Sequence, residues 1–295
     1  MAEGLDRRGL LLMGAGLVLA GCTSRTDSTG ATAKPRTPAA RPQRTASTPG
    51  LSAVPLPAVT PWHPDPGDIE PAVKLAAVRH VERHGNGPRA ALQVVDAQYG
   101  GLLPDRASVL VVCRQWHARP DGSLRAGGTT YDVRVQHAGS GWLVIAVHPS
   151  RPGPPSRHPS AAARRVLANP RVDLPPASLA DVRSGRVHDS VLSAMLRLAA
   201  TYRIGVSVVR SGHPRFVFGT TRLSDHPRGR AFDTWRIDGR MVVDPATPRR
   251  LVTGYMEAAA AAGSYNVGGP YLLGAAPQFF SDATHHDHVH AGFDF

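Results

Sequence analysis

The chain has 295 residues and a formal net charge of +12, from 34 Lys and Arg against 22 Asp and Glu. That length holds one large domain or two small ones. The arginines are scattered rather than clustered, and no nucleic-acid motif or aromatic–basic interleaving accompanies them, so the charge excludes no more than an acidic protein and points to solubility near an anionic surface, not to nucleic acid.

The first elements concern targeting. Arg7 and Arg8 precede an uncharged apolar run from Gly9 to Ala20, too short to span a bilayer comfortably and shaped like a signal peptide. Leu19-Ala20-Gly21-Cys22 closes it and resembles a bacterial lipobox, which implies a signal peptide over 1–22 and a lipid on Cys22. Residues 23–60 are rich in Ser, Thr, Ala, Pro and Arg and carry few large apolar groups, the composition of a flexible tether. With Cys22 lipidated, Cys113 has no partner; it sits in the apolar run Val109–Cys113 and is expected to be a buried, inert thiol.

A first folded unit is expected over 61–150. Apolar residues at helical spacing predict a helix from Ile69 to Arg83. Strands are predicted at Ala91–Val95, Ser108–Trp116, Thr130–Val135 and Gly141–Val147, separated by short turns. A helix followed by a curved antiparallel sheet makes an α+β unit, and its element order resembles the cystatin or nuclear-transport-factor cone. No catalytic constellation is legible in it. A proline-rich linker over 151–160 follows.

The second unit, 161–295, opens with a short helix at Ala161–Ala168. A longer helix is predicted at Asp189–Tyr202 with Asp189 as its cap, then a strand at Ile204–Val209. Thr247-Pro248 is expected to start another helix that stops at Gly263. The whole reads as α+β: a small antiparallel sheet flanked by helices, preceded by the smaller helix-plus-sheet unit.

The chemistry concentrates in two stretches of the second unit. Ser224-Asp225-His226-Pro227-Arg228-Gly229-Arg230-Ala231-Phe232-Asp233 places a histidine in a turn and an aspartate on a strand, Arg230–Trp235. Gly229 is expected to let the turn pass close to a bound ion. Asp233 lies in a largely apolar strand, and a carboxylate buried there needs a cation. The second stretch is His285-His286-Asp287-His288-Val289-His290, leading into a strand over Val289–Phe293. Strand alternation points His288 and His290 to one side and Asp287 to the other, unless the strand entrance is irregular. Imidazole and carboxylate together make the ligand set of a catalytic zinc.

Ser224-x-His226-x-x-Gly229-x-Ala231-x-Asp233 resembles the S-x-H-x-x-G-x-A-x-D signature of zinc D-Ala-D-Ala carboxypeptidases, a metallopeptidase group that includes the vancomycin-resistance dipeptidases, L-alanyl-D-glutamate endopeptidases and murein endopeptidases. Asp287-x-x-His290 is similar to the group's acid-x-x-His motif, and His288-x-His290 to its H-x-H form. The resemblance covers residues 160–295. It implies that His226, Asp233 and His290 bind Zn2+, that Asp287 is the general base with His288 beside it, and that the substrate is a peptidoglycan stem peptide. It also implies an arginine for the oxyanion, placed in an S-G-Y-R segment. Here Ser211-Gly212-His213-Pro214 has proline at that place, leaving Arg210, Arg215 and Arg222 as candidates. His285 and His286 are expected at the rim, and His213 is expected to have no metal role. The sequence thus predicts a monomeric, lipid-anchored zinc peptidase on the extracytoplasmic face of the bacterial membrane. The alternative is an inactive zinc-containing lipoprotein that binds the wall.

Overall fold

The computed structural model describes residues 54–294. The signal segment, Cys22 and the tether as far as residue 53 lie outside the described residues. Within them the chain is mixed α/β, with five helices and two sheets. No helix among the described residues is long and apolar enough to cross a membrane.

Helix α1 (Pro71–Gly85) begins with proline in its first turn, where the missing N–H costs nothing, and buries Val73, Ala77, Val78 and Val81. It lies on a four-stranded antiparallel sheet of order β1-β2-β3-β4: β1 (Ala90–Leu102), β2 (Arg106–Ala118), β3 (Leu124–Ala138) and β4 (Gly141–Pro149). Strand β1 is far longer than the expected Ala91–Val95. Bulges between Val94 and Asp96 and between Tyr99 and Gly101 break its alternation, and polar Asp96 and Gln98 are buried along it.

Strand β2 explains its own composition. Val109, Val111 and Cys113 face the core under α1. Leu110 and Val112 face the other way and meet Val208 of the second unit. A strand covered on both faces reads as a continuous apolar run rather than an alternating one. The seam is tight beside it: a Cβ on Gly128 of β3 would lie 2.1 Å from the Cys113 carbonyl oxygen and 2.8 Å from Pro176 Cγ. Cys113 is buried and unpaired, and burial pushes its thiol pKa up, as an inert core thiol requires.

The second sheet has the order β10-β9-β11-β7-β6-β5, with β8 beside β7. It is preceded by α2 (Ala161–Leu167), and β5 (Val172–Asp173) leads into α3 (Pro176–Arg183), a helix without a sequence signal strong enough to predict. Then come α4 (Asp189–Thr201), β6 (Ile204–Val206), β7 (Ala231–Ile237), β8 (Arg240–Met241), α5 (Arg249–Ala261), β9 (Asn266–Gly268), β10 (Phe279–Phe280) and β11 (Val289–Gly292). Two expected caps are absent. His188 occupies the α4 cap position, and Asp189 accepts from Ser160 Oγ at 2.6 Å. Before α5, the Thr247 hydroxyl donates to the Met241 carbonyl at 2.6 Å. The helices hold through their buried faces instead: Val191, Leu192, Met195 and Leu198 on α4, Val252, Tyr255 and Met256 on α5.

Gly128→Ala is expected to lower stability by about 1–3 kcal/mol, because the added methyl overlaps the β2 backbone at Cys113 and crowds Pro176 across the seam. Gly127→Ala meets nothing within 4 Å and is expected to change little. Urea midpoints of the two variants check the contrast; equal midpoints would sink it.

Candidate metal centre

Strands β7 and β11 are antiparallel, and their register sets Asp233 directly opposite His290. Both side chains are buried, and they face a loop between β6 and β7 that carries His226. Asp233 Oδ1 is 3.1 Å from His226 Nε2 and 3.0 Å from His290 Nδ1. The two imidazole nitrogens are 3.1 Å apart. The same three atoms therefore form a nearly equilateral triangle. A tetrahedral ion with bonds of about 2.0–2.2 Å needs ligand atoms roughly 3.3–3.6 Å apart, so the triangle is one slightly contracted face of such a shell.

The atoms behind the triangle leave its lone pairs free. His226 Nδ1 donates to the Val209 carbonyl at 2.8 Å, which fixes the tautomer with an unprotonated Nε2 turned inward. Asp233 Oδ2 accepts from Gln98 Nε2 at 2.7 Å. Burial acts to raise the Asp233 pKa, but His226 and His288 together with its hydrogen bonds outweigh it and hold the carboxylate well below its ordinary value. Burial lowers His290 to about 4, with His226 and His285 adding to the effect against Asp233. A neutral imidazole and an ionised carboxylate are the states that bind metal. The donor set, its spacing and its supports all fit a zinc ion.

Gly229 has a different task from the one expected. Its φ is +72°, and a Cβ there would lie 2.1 Å from the Arg186 carbonyl oxygen. Its close approach is to the backbone ahead of α4, where its own carbonyl accepts from His188 N at 2.9 Å. The glycine seats the turn on the fold, which in turn presents His226.

The two candidate bases are separated by the irregular chain before β11. Asp287 faces away from the triangle. Its Oδ2 accepts from Lys74 Nζ at 2.7 Å and from Tyr99 N at 3.1 Å, and its Oδ1 accepts from His288 Nδ1 at 2.6 Å. Burial would raise Asp287, yet Lys74 and His288 hold it far below the usual carboxylate range. His288 keeps its other nitrogen, Nε2, on the ligand side, 3.8 Å from Asp233 Oδ1. Burial lowers the His288 pKa, but Asp233 and Asp287 carry it above the ordinary value. Asp68, His286 and Asp287 form a second acidic group, but Lys74 already supplies its cation: it pairs with both Asp68 and Asp287.

A cleft of about 630 Å³ opens onto the triangle, lined among others by His226, His288, His290, His213, Arg222 and Phe280. Of the three candidate arginines only Arg222 lines it. Arg210 turns to Asp181, 3.4 Å away, and to the Pro152 carbonyl, 2.7 Å away. Arg215 lies over the Phe216 ring, 5.3 Å from its centroid.

Of the other residues, His285 lies at the rim as expected, and His213 and His286 do not sit where the sequence put them. His213 stacks on His226 with ring centroids 4.1 Å apart, and one of its nitrogens lies within 4.8 Å of ligand atoms of His226 and Asp233. Asp181 Oδ2 positions that loop by accepting from Arg210 N and Ser211 N at 3.0 and 2.7 Å. His285 is a rim residue, held to Asp282 at 2.8 Å. His286 is instead a joint between the units: its Nε2 accepts from Ile69 N at 3.0 Å and its ring packs near Tyr99. Gln98, Lys74 and the Tyr99 N–H were invisible as site groups, since their elements lie more than 130 residues from Asp233 and Asp287.

No family model matches the chain, and neither the curated proteins nor the solved structures contain a match.

If the triangle holds zinc, replacing His226 or His290 by Ala, or Asp233 by Asn, is expected to weaken its binding at least about 100-fold, since each removes one of three candidate ligands. Competition with a chromogenic chelator measures it. His285→Ala should bind zinc like the wild type, and an equal loss in that variant would contradict the ligand triangle.

Proposed function

We propose that the chain is a zinc-dependent peptidase that hydrolyses peptidoglycan stem peptides, held by a lipid on Cys22 at the extracytoplasmic face of a bacterial membrane. The observation that carries the reading is the closed triangle of His226 Nε2, Asp233 Oδ1 and His290 Nδ1, open on one side to a cleft. Three protein ligands with one open face are the arrangement of a catalytic rather than a structural zinc site. Held by His226, Asp233 and His290, a zinc ion would supply a water acidified toward a pKa of about 7 and a Lewis acid for the scissile carbonyl.

The surrounding residues divide the remaining work. His288 is the proposed general base: its Nε2 faces the ligand side while Asp287 holds its Nδ1. It takes the proton of the attacking water and returns one to the leaving amine. Asp287 is the orienting carboxylate. Both of its oxygens are engaged, and it does not line the cleft. Arg222 is the cation on the cleft wall and the proposed partner of the developing oxyanion. The bacterial wall as substrate rests on the two sequence motifs and the lipobox, which place zinc peptidase chemistry beside peptidoglycan.

One observation favours the second reading, a zinc protein that holds wall peptides without cutting them. Pro214 stands where the arginine is expected, and Arg210 is tied to Asp181.

Zinc-loaded protein incubated with defined muropeptides, with products read by mass, decides between them and identifies the bond cut. Wild-type protein is expected to release D-alanine or cleaved stem peptides. His288→Ala is expected to lose at least about 100-fold in kcat while keeping its zinc. Zinc-loaded wild type that yields no product would establish the binding reading instead.

A further inference from the structure

Among the described residues, the contacts that reach the metal triangle from outside the second unit all come from the first. Strand β1 passes behind Asp233. Gln98 is buried there, donating Nε2 to Asp233 Oδ2 at 2.7 Å while its Oε1 accepts from the Ser207 hydroxyl. The next residue, Tyr99, gives its N–H to Asp287 Oδ2. Helix α1 contributes Lys74, 1% exposed, whose ammonium lies between Asp68 and Asp287. Further along β1, Leu102 N donates to Thr284 Oγ1 at 3.1 Å, fixing the segment that leads to Asp287. Each contact holds a group that would otherwise turn. Asp233 rotates about one bond unless its outer oxygen is held, and His288 keeps its tautomer only while Asp287 stays ionised and in place.

We infer that the first unit is a working part of the metal centre: Gln98 and Lys74 are positioning residues, Gln98 fixing the ligand carboxylate of Asp233 and Lys74 fixing Asp287 behind His288. The inference rests on the zinc reading of the triangle. It gives the helix-plus-sheet unit a defined role, since without it the triangle loses its outer hydrogen bond and Asp287 loses its buried cation. Lys74 balances two carboxylates at once, so its removal leaves negative charge unpaired in the interior.

The test uses the full chain and zinc itself as the probe. Gln98→Met keeps the length of the side chain and removes the donor. It is expected to raise the zinc Kd about 10- to 100-fold, the usual cost of losing a partner of a ligand. In an Asp233→Asn background the same change should add little, because the group it acts through has gone. A purely structural role would give additive losses. Lys74→Met is expected to lower kcat on a muropeptide at least 10-fold with little change in KM or zinc Kd, and Lys74→Arg to recover most of the loss. Should Lys74→Met fail to fold, the Gln98 cycle still decides. A Gln98→Met zinc Kd equal to wild type, or additive effects with Asp233→Asn, overturns the inference while leaving the zinc reading intact. Wild-type protein with no zinc affinity below the millimolar range overturns both.

Discussion

Asp233 is 1% exposed, and the groups packed around its carboxylate hold its pKa well below the ordinary value against burial. An unpaired carboxylate at that depth costs several kcal/mol. The fold meets the demand with three groups from three places: His226 from the β6–β7 loop, His290 from across the β7–β11 ladder, and Gln98 from another sheet. Two are imidazoles whose ring nitrogens His226 Nε2 and His290 Nδ1 are turned toward Asp233 Oδ1. The cross-strand pairing is the rigid part, because antiparallel register fixes Asp233 against His290 whatever the loop does.

Around that pair the structure works in layers. The Gly229 turn seats His226 against the backbone before α4. Asp181 ties down the 210–211 loop, which carries His213 onto the face of His226. On the far side, Lys74, Asp287 and His288 form a hydrogen-bonded chain that ends at the cleft. The two sides touch the same strand, β1, at consecutive residues, Gln98 and Tyr99. The pair lies in a stretch of regular register between two bulges, and β1 is the edge strand of its sheet, so the Gln98 side chain and the outward Tyr99 N–H can reach different partners.

Much of this was legible in the sequence, and where it was not the reason is physical. Strands β2, β3 and β4 and helices α1, α2, α4 and α5 declared themselves by period and by turn residues, because their burial is one-sided or their apolar runs are long. The continuous run in β2 identified the strand; that its second face packs on Val208 is seen only in the structure. The proposed ligands were legible because two local motifs hold them. The choice between Asp287 and His288 was not, since it depends on a lysine 213 residues earlier in the chain. Alternation along β11 did point His288 toward His290 and Asp287 away, and the structure places them so. Strand β1 was read too short because its buried polar residues and glycines imitate a loop. Those features serve contacts across the seam, and single-strand patterning has no term for a partner in another sheet.

The distance in sequence between these partners has a kinetic meaning. Lys74 meets Asp287, Gln98 meets Asp233, and Ile69 meets His286, so the centre is built from pairings that close loops of well over a hundred residues. Such contacts form late, after each sheet has its own core, because closing long loops is entropically costly before there is a surface to close onto. A chain whose first half is unfolded lacks the outer contacts that Gln98, Tyr99 and Lys74 make to Asp233 and Asp287. The full set of contacts around Asp233 and Asp287 is therefore coupled to completed folding of both halves.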